Sequence, residues 1–178
     1  MSSKGKKNFK EFLSYFIVIV IAATLAMFFR IFLFEPYIVP TSSMETTLNV
    51  SDRVIVNKIA YRLDEIKRGD VIVFHSPTEP GKDLVKRAIA FEGEELTLNP
   101  DGALLINDKV LIEDYLPPGS QYVYESISFI IGQNEIFVMG DNRINSYDSR
   151  NFGTIDADLV FGRVLFIYWP PSRMSSVR

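Results

Sequence analysis

Residues 12–29 form an apolar run without a charge, Phe-Leu-Ser-Tyr-Phe-Ile-Val-Ile-Val-Ile-Ala-Ala-Thr-Leu-Ala-Met-Phe-Phe, and no later stretch of the chain repeats it. As a helix, 18 such residues rise about 27 Å, close to the hydrocarbon thickness of a bilayer. With Arg30 snorkelling, Ile31 to Phe34 extend the run, so the pattern predicts a membrane anchor over 12–34 behind a basic segment 1–11. Beyond residue 50 the pattern changes to short apolar or alternating runs separated by turn residues. Strands are predicted over Arg53–Asn57, Asp70–Phe74, Asp83–Phe91, Glu94–Leu98, Ala103–Ile106, Lys109–Ile112, Ile127–Ile131, Glu135–Met139 and Arg163–Trp169. Asn99-Pro100-Asp101-Gly102 reads as a hairpin turn, Ser76 to Lys82 as a loop, and Asp114 to Gln121 as a mobile insert. No useful helical period follows the apolar run. The expected body, 35–178, is therefore a small, mostly β domain of antiparallel sheets.

Charge sharpens the first element. Lys4, Lys6, Lys7 and Lys10 precede the apolar run, and Arg30 is the only base soon after it. By the positive-inside rule the N-terminus is cytoplasmic and the body of this single-pass chain lies on the outer side of the plasma (inner) membrane. A cleaved signal peptide shares the charged start, but its apolar core is shorter and ends at a small-residue site, for which Thr24-Leu25-Ala26 is a poor candidate. The body is net acidic, which argues against nucleic acid as a partner. The chain has no cysteine and one histidine, His75. Thiol chemistry and thiolate or multi-histidine metal sites are excluded, and His75, at a strand end before Ser-Pro, reads as structural.

Three stretches carry candidate chemistry. Pro40-Thr41-Ser42-Ser43-Met44 places three adjacent hydroxyls within nine residues of the apolar run, so a tether of at most about 30 Å holds them near the membrane surface. A plain turn or helix cap uses the same residue types. In the strand 83–91, Lys86 shares a face with Leu84, Ala88 and Ala90, while Arg87 shares the other with Val85, Ile89 and Phe91. Adjacent charges on opposite faces of an apolar strand cannot both be ordinary surface charges, and a buried one must be paired or neutralised. Lysine neutralises readily and arginine does not. An edge strand with a solvated lysine is the plainer alternative. A desolvated lysine is a general base, and beside a serine it makes a dyad with no need of cysteine or of His75. The loop Gly140 to Gly153 holds two Asp, two Arg, three Asn and two Ser and reads as a fixed polar network.

Pro40-Thr41-Ser42-Ser43-Met44, Asp52-Arg53-Val54-Ile55-Val56-Asn57-Lys58, Arg68-Gly69-Asp70-Val71-Ile72-Val73-Phe74, Lys86-Arg87 and Gly140-Asp141-Asn142-Arg143-x-Asn145-Ser146-x-Asp148-Ser149-Arg150 occur in that order. Together they resemble the type I signal peptidases, the bacterial leader peptidases of the Ser-Lys class. The resemblance spans the anchor and nearly the whole body. It implies coiled antiparallel sheets behind one transmembrane helix and a serine endopeptidase that removes signal peptides through an acyl-enzyme. It also implies a preference for small residues before the cut, a bilayer partner, and no cofactor or metal. By resemblance Ser43 is the nucleophile and Lys86 the general base. Thr41 joins the oxyanion hole, Ser146 orients the lysine, and Arg87, Asp148 and Arg150 form an ion-pair network behind the site. Met44 lines the substrate pocket.

The chain departs from the family pattern at Thr46, where a proline is usual, at Ser51, where glycine is common, and at Ala90, Glu92 and Glu94, which replace a Gly, a Pro and an Asp. Two other readings stay open: a non-catalytic, membrane-anchored scaffold, and a different Ser-Lys protease. Among the latter, a self-cleaving repressor would need a DNA-binding head where this chain has its apolar run, whereas a pilus peptidase would differ only in substrate.

Overall fold

The computed structural model describes residues 3–120 and 125–177; within the N-terminal helix the side chains of 3–10 and 29–32 lie outside the description. The readings placed on the Lys4, Lys6, Lys7, Lys10 and Arg30 side chains and on Gln121 therefore fall outside the described residues. Helix α1 runs from Ser3 to Phe32. Its window Glu11–Phe28 has a mean hydropathy of 2.2 and none of it is buried within the chain, so it is long and apolar enough to cross a membrane. The helix stops two residues short of the expected boundary. Phe34 already opens a strand, β1 (Phe34–Ile38), because Pro36 has no amide proton and cannot continue a helical ladder.

The body is built from two antiparallel sheets. The larger contains β1, β2 (Arg53–Asn57), β3 (Val71–His75), β4 (Asp83–Phe91), β9 (Glu135–Met139), β10 (Ile155–Asp156) and β11 (Val160–Trp169), in the order β1-β2-β11-β3-β4-β9-β10, with β12 (Ser175–Ser176) paired to β11. The smaller contains β5 (Glu95–Leu98), β6 (Leu104–Ile106), β7 (Lys109–Val110) and β8 (Ile127–Ile130), in the order β7-β6-β5-β8. The expected mostly β, antiparallel architecture is the one observed. The shortest elements, β10, β12 and the one-turn helices α2 (Ala60–Leu63) and α3 (Ser149–Phe152), escape a pattern reading because two to four residues carry no period.

Bulges curl the large sheet. The β11 register slips against β2 between Val164 and Phe166 and again between Ile167 and Trp169, and β4 slips against β9 between Ala88 and Ala90. An extra residue bends its strand and increases the local twist. Ala90 sits at the β4–β9 bulge, one of the positions where the sequence departs from the family pattern. The apolar faces form three clusters. Met44, Leu48, Val54, Val56, Val71 and Val73 pack under the hydroxyl turn. Leu96, Leu98 and Leu104 of the small sheet pack onto Ile89, Phe137 and Met139 of the large one. Ile72, Phe74, Ala88 and Val138 fill the third.

Candidate active site

The hydroxyl turn is fixed from both sides. Val39 pairs through its backbone with Asp52 (2.9 Å) and Ser51 (2.8 Å), and Pro40 then releases the chain from the ladder. Ser42–Met44 makes one turn of 3₁₀ helix, and the buried Met44 and Leu48 pin it to the core. Arg173 closes the far side, donating to the Asp52 carboxylate (3.1 Å) and to the Thr47 carbonyl (3.3 Å). Ser43 thus stands on a short, anchored turn with its side chain free to face β4.

Lys86 reaches it there. Lys86 Nζ lies 2.6 Å from Ser43 Oγ, in hydrogen-bond contact, and the lysine is 3% exposed. Burial pushes the ammonium from the ordinary 10.5 down to about 8, and Arg150 acts in the same direction, while the Asp148 and Asp141 carboxylates work against it. Thr41 Oγ1 is 3.4 Å from Ser43 Oγ. The Ser43 amide lies in the first turn of its helix, where an N–H has no partner within the helix.

Both charges of the Lys86-Arg87 pair are buried, one on each face of β4. Arg87 is 0% exposed and makes a two-pronged pair with Asp141 (Nε to Oδ1 2.8 Å, Nη2 to Oδ2 2.6 Å), donates to the Gly69 carbonyl (2.6 Å), and bonds with Thr47. The carboxylate of Asp148 is not its partner. Asp148 instead binds Arg150 (Nε to Oδ1 2.7 Å, Nη2 to Oδ2 2.7 Å), accepts the Gly140 amide (2.9 Å), and caps α3 in a reciprocal box with Asn151. The expected single network of Arg87, Asp148 and Arg150 is therefore two separate pairs, because the chain turns back at Gly140 and puts Asp141 on the Arg87 face. Burial works to raise the Asp148 carboxyl, but the Arg150 guanidinium and the donated bonds outweigh it and hold it below the usual range.

The polar loop grips the nucleophile turn directly. The Asn142 amide donates to the Ser43 carbonyl (3.1 Å), its side chain to the Ser42 carbonyl (3.0 Å), and the Asn145 side chain to Ser42 Oγ (3.0 Å). Gly140 is a glycine for a steric reason: a Cβ there would lie 2.3 Å from the Ser43 carbonyl and 2.2 Å from Ser146 Oγ. Ser146 Oγ is buried against that glycine and has no hydrogen-bond partner among the described residues, although its dipole helps keep the nearby Asp148 ionised. No bond joins it to Lys86, so the orienting contact implied by resemblance is not made in this state. Met44 is 1% exposed, packed within the core beneath the turn.

Several supporting residues were not singled out by sequence: Thr47, Asp141, Asn142, Asn145 and Arg173, and Glu113 and Tyr115 in the segment after β7. Tyr115 falls in Asp114–Gln121, the stretch expected to be mobile, yet it is tied down with its neighbour Glu113. Glu113 forms a two-pronged pair with the buried Arg143 (Nη1 to Oε2 2.8 Å), and the Tyr115 ring lies 3.9 Å from the Arg87 guanidinium carbon. The alternation of Leu111, Glu113 and Tyr115 inward with exposed Ile112 and Asp114 outward was the available signal. The departures from the family pattern have local accommodations. Thr46 adopts φ +89°, which proline cannot, and Ser51 keeps φ +73°, the left-handed conformation that glycine favours. Glu92 accepts the Asn134 amide, and Glu94 accepts the Phe91 amide and pairs with Arg68.

A family model described as signal peptidase, peptidase S26, matches residues 12–169. Signal peptidase I T of Bacillus subtilis (strain 168) is 37% identical over 183 residues, covering 98% of this chain and 94% of that one. A probable thylakoidal processing peptidase 2 of Arabidopsis thaliana is 37% identical over 88% of this chain, which spans 44% of that longer protein. A signal peptidase I structure from Enterococcus faecalis V583 aligns with a TM-score of 0.49 at 28% identity, covering 56% of this chain and 97% of that one. The chain belongs to the signal peptidase family, peptidase S26, and is a hydrolase of the signal peptidase type.

Proposed function

We propose that the protein is a membrane-anchored serine endopeptidase that removes signal peptides from exported preproteins, with Ser43 as nucleophile and Lys86 as general base. The carrying observation is the 2.6 Å approach of Lys86 Nζ to Ser43 Oγ in a desolvated setting that brings the lysine to about 8. A neutral Lys86 accepts the Ser43 proton as Oγ attacks the scissile carbonyl. The Ser43 amide and the Thr41 hydroxyl donate to the developing oxyanion, each such donor being worth about 3 kcal/mol of barrier. Lys86 then protonates the leaving amine and activates a water that releases the acyl-enzyme. Arg87 with Asp141, and Arg150 with Asp148, hold β4 and the polar loop that grips the Ser43 turn.

The substrate has a place to lie. Strand β9 pairs with β4 only from Arg87 to Phe91, which leaves the edge of Asp83–Lys86 without a strand partner among the described residues. An extended preprotein segment adds to that edge and runs its scissile bond past Ser43. Small side chains before the cut fit beside the Met44-backed floor. Helix α1 spans the bilayer with its basic end in the cytoplasm, and the half-exposed Trp169, stacked 6.0 Å from Arg53, with Ile38 (62% exposed), dips into the interface. Ile167 is core rather than interface, at 2% exposure.

Cleavage of a signal-bearing preprotein by the detergent-solubilised chain tests the reading. Wild type cleaves, while Ser43→Ala, Lys86→Ala and Lys86→Arg lose at least about a thousandfold in kcat/KM. Arginine fails because it cannot give up its proton. Activity retained by Lys86→Arg removes the base from its role. Because only the neutral lysine is competent and its folded pKa lies near 8, kcat/KM falls about tenfold per unit as pH drops below that value and levels off above it.

A further inference from the structure

The segment Leu111–Tyr115 belongs to no sheet, yet it lies against the two buried arginines that flank the site. Tyr115 covers the face of Arg87, and its hydroxyl donates to Glu113, whose carboxylate binds Arg143. Arg143 Nε donates in turn to the Gly140 carbonyl (3.1 Å), and the Arg143 carbonyl accepts from Arg150 (2.7 Å). Gly140 has no room to move toward Ser43 or Ser146. The result is a continuous path. One end is the residue next to the base, and the other is the turn that abuts the nucleophile's carbonyl.

Two further features set this path apart from ordinary packing. Burial, reinforced by the Glu113 charge, pushes the Tyr115 phenol up, so it stays a neutral donor at working pH. A cavity of about 390 Å³, lined by Arg68, Gly69, Asp70, Arg87 and Tyr115 among others, opens beside the ring. On the other side, the ring is tied to the segment by its hydroxyl bond to Glu113. A buried ion pair is poor at adding stability and good at fixing orientation.

We propose that Glu113 and Tyr115 are positioning residues: a strap from the small sheet that holds Arg87 and Arg143, and through them keeps Lys86 in line with Ser43. The inference rests on the Ser43–Lys86 dyad proposed above. The test compares Tyr115→Phe, Tyr115→Leu and Glu113→Gln with wild type in the full chain, at a temperature where melting curves show every variant folded. Expected for Tyr115→Leu and Glu113→Gln is a kcat about tenfold or more below wild type with KM within about twofold, since neither residue touches substrate. Tyr115→Phe, which keeps a ring but loses the hydroxyl bond to Glu113, falls between wild type and Tyr115→Leu.

A second readout needs no cleavage. Lys86 sits among Asp148, Arg150, Asp141, Lys82 and its neighbour Arg87, so its titration, followed by NMR of isotope-labelled lysine side chains, reports their placement. It shifts from the wild-type value in Tyr115→Leu and Glu113→Gln. Unchanged kcat and unchanged Lys86 titration in both variants, whatever their melting temperatures, overturn the strap. A rise in KM alone also overturns it, by making these residues substrate contacts. Wild-type failure to cleave, or cleavage by Ser43→Ala, sinks the dyad reading separately.

Discussion

The polar loop 140–153 and the small sheet β5–β8 both flank the β4–β9 pair, and they are held by opposite means. The small sheet contributes Leu96, Leu98 and Leu104 to an apolar cluster and carries its polar groups outward, as in the exposed Thr97–Ser128 bond. The loop buries Asp141, Arg143, Asp148 and Ser149, almost all of them paired. Apolar packing is non-directional and tolerates exchange, whereas a buried charge must find its partner in one geometry. The site is built on the second kind of region because its reacting atoms must be placed to within fractions of an ångström. The Glu113–Tyr115 segment bridges the two regions through the Glu113–Arg143 pair.

The sharpest break of this contrast is Asp141→Asn. It leaves Arg87, 0% exposed, without its counter-charge, and costs about 3–5 kcal/mol in chemical unfolding. A loss under about 1 kcal/mol contradicts the claim that the loop is held by charge pairing. Gly140→Ala comes next. Its methyl meets the Ser43 carbonyl and Ser146, so kcat falls about a hundredfold in the preprotein assay while the fold survives; near-wild-type turnover means the turn gives way freely.

Thr46→Pro installs the family's usual residue at φ +89°, which proline cannot adopt, and destabilises by more than about 1 kcal/mol by thermal melting. A neutral or stabilising result means this turn reverts to the family geometry. The smallest effect belongs to the small sheet. Ile130→Thr, at a position 83% exposed, changes stability by less than about 0.5 kcal/mol and leaves kcat/KM unchanged; a measurable loss of activity there moves part of the site's control into that sheet.

Periodicity made the large elements legible. Strands such as 53–57, 83–91 and 135–139 alternate or run apolar between turn residues, and β2, β4 and β9 occupy those ranges. The argument from charges on opposite faces placed Lys86 and Arg87 in the interior without any structure. It could not say which acid Arg87 meets. Asp141 and Asp148 are both near in sequence, and only the reversal of the chain at Gly140 assigns one to each arginine. Tyr115 reads as part of the mobile insert Asp114–Gln121 because that stretch holds two prolines and a glycine, and local composition says nothing about a carboxylate's distant partner.

By itself the sequence determined which residue types are available: one long apolar helix, a β body, no cysteine, and a serine turn and a lysine strand with the chemistry of a dyad. These follow from local rules of period, charge and backbone freedom, which act within a few residues. Tertiary structure alone decided the 2.6 Å approach of Lys86 to Ser43, the pairing of each arginine, and the desolvation that lowers the lysine. The Lys86–Ser43 and Arg87–Asp141 contacts join residues 43 and 54 positions apart, whose geometry is set only when the curled sheet closes around them.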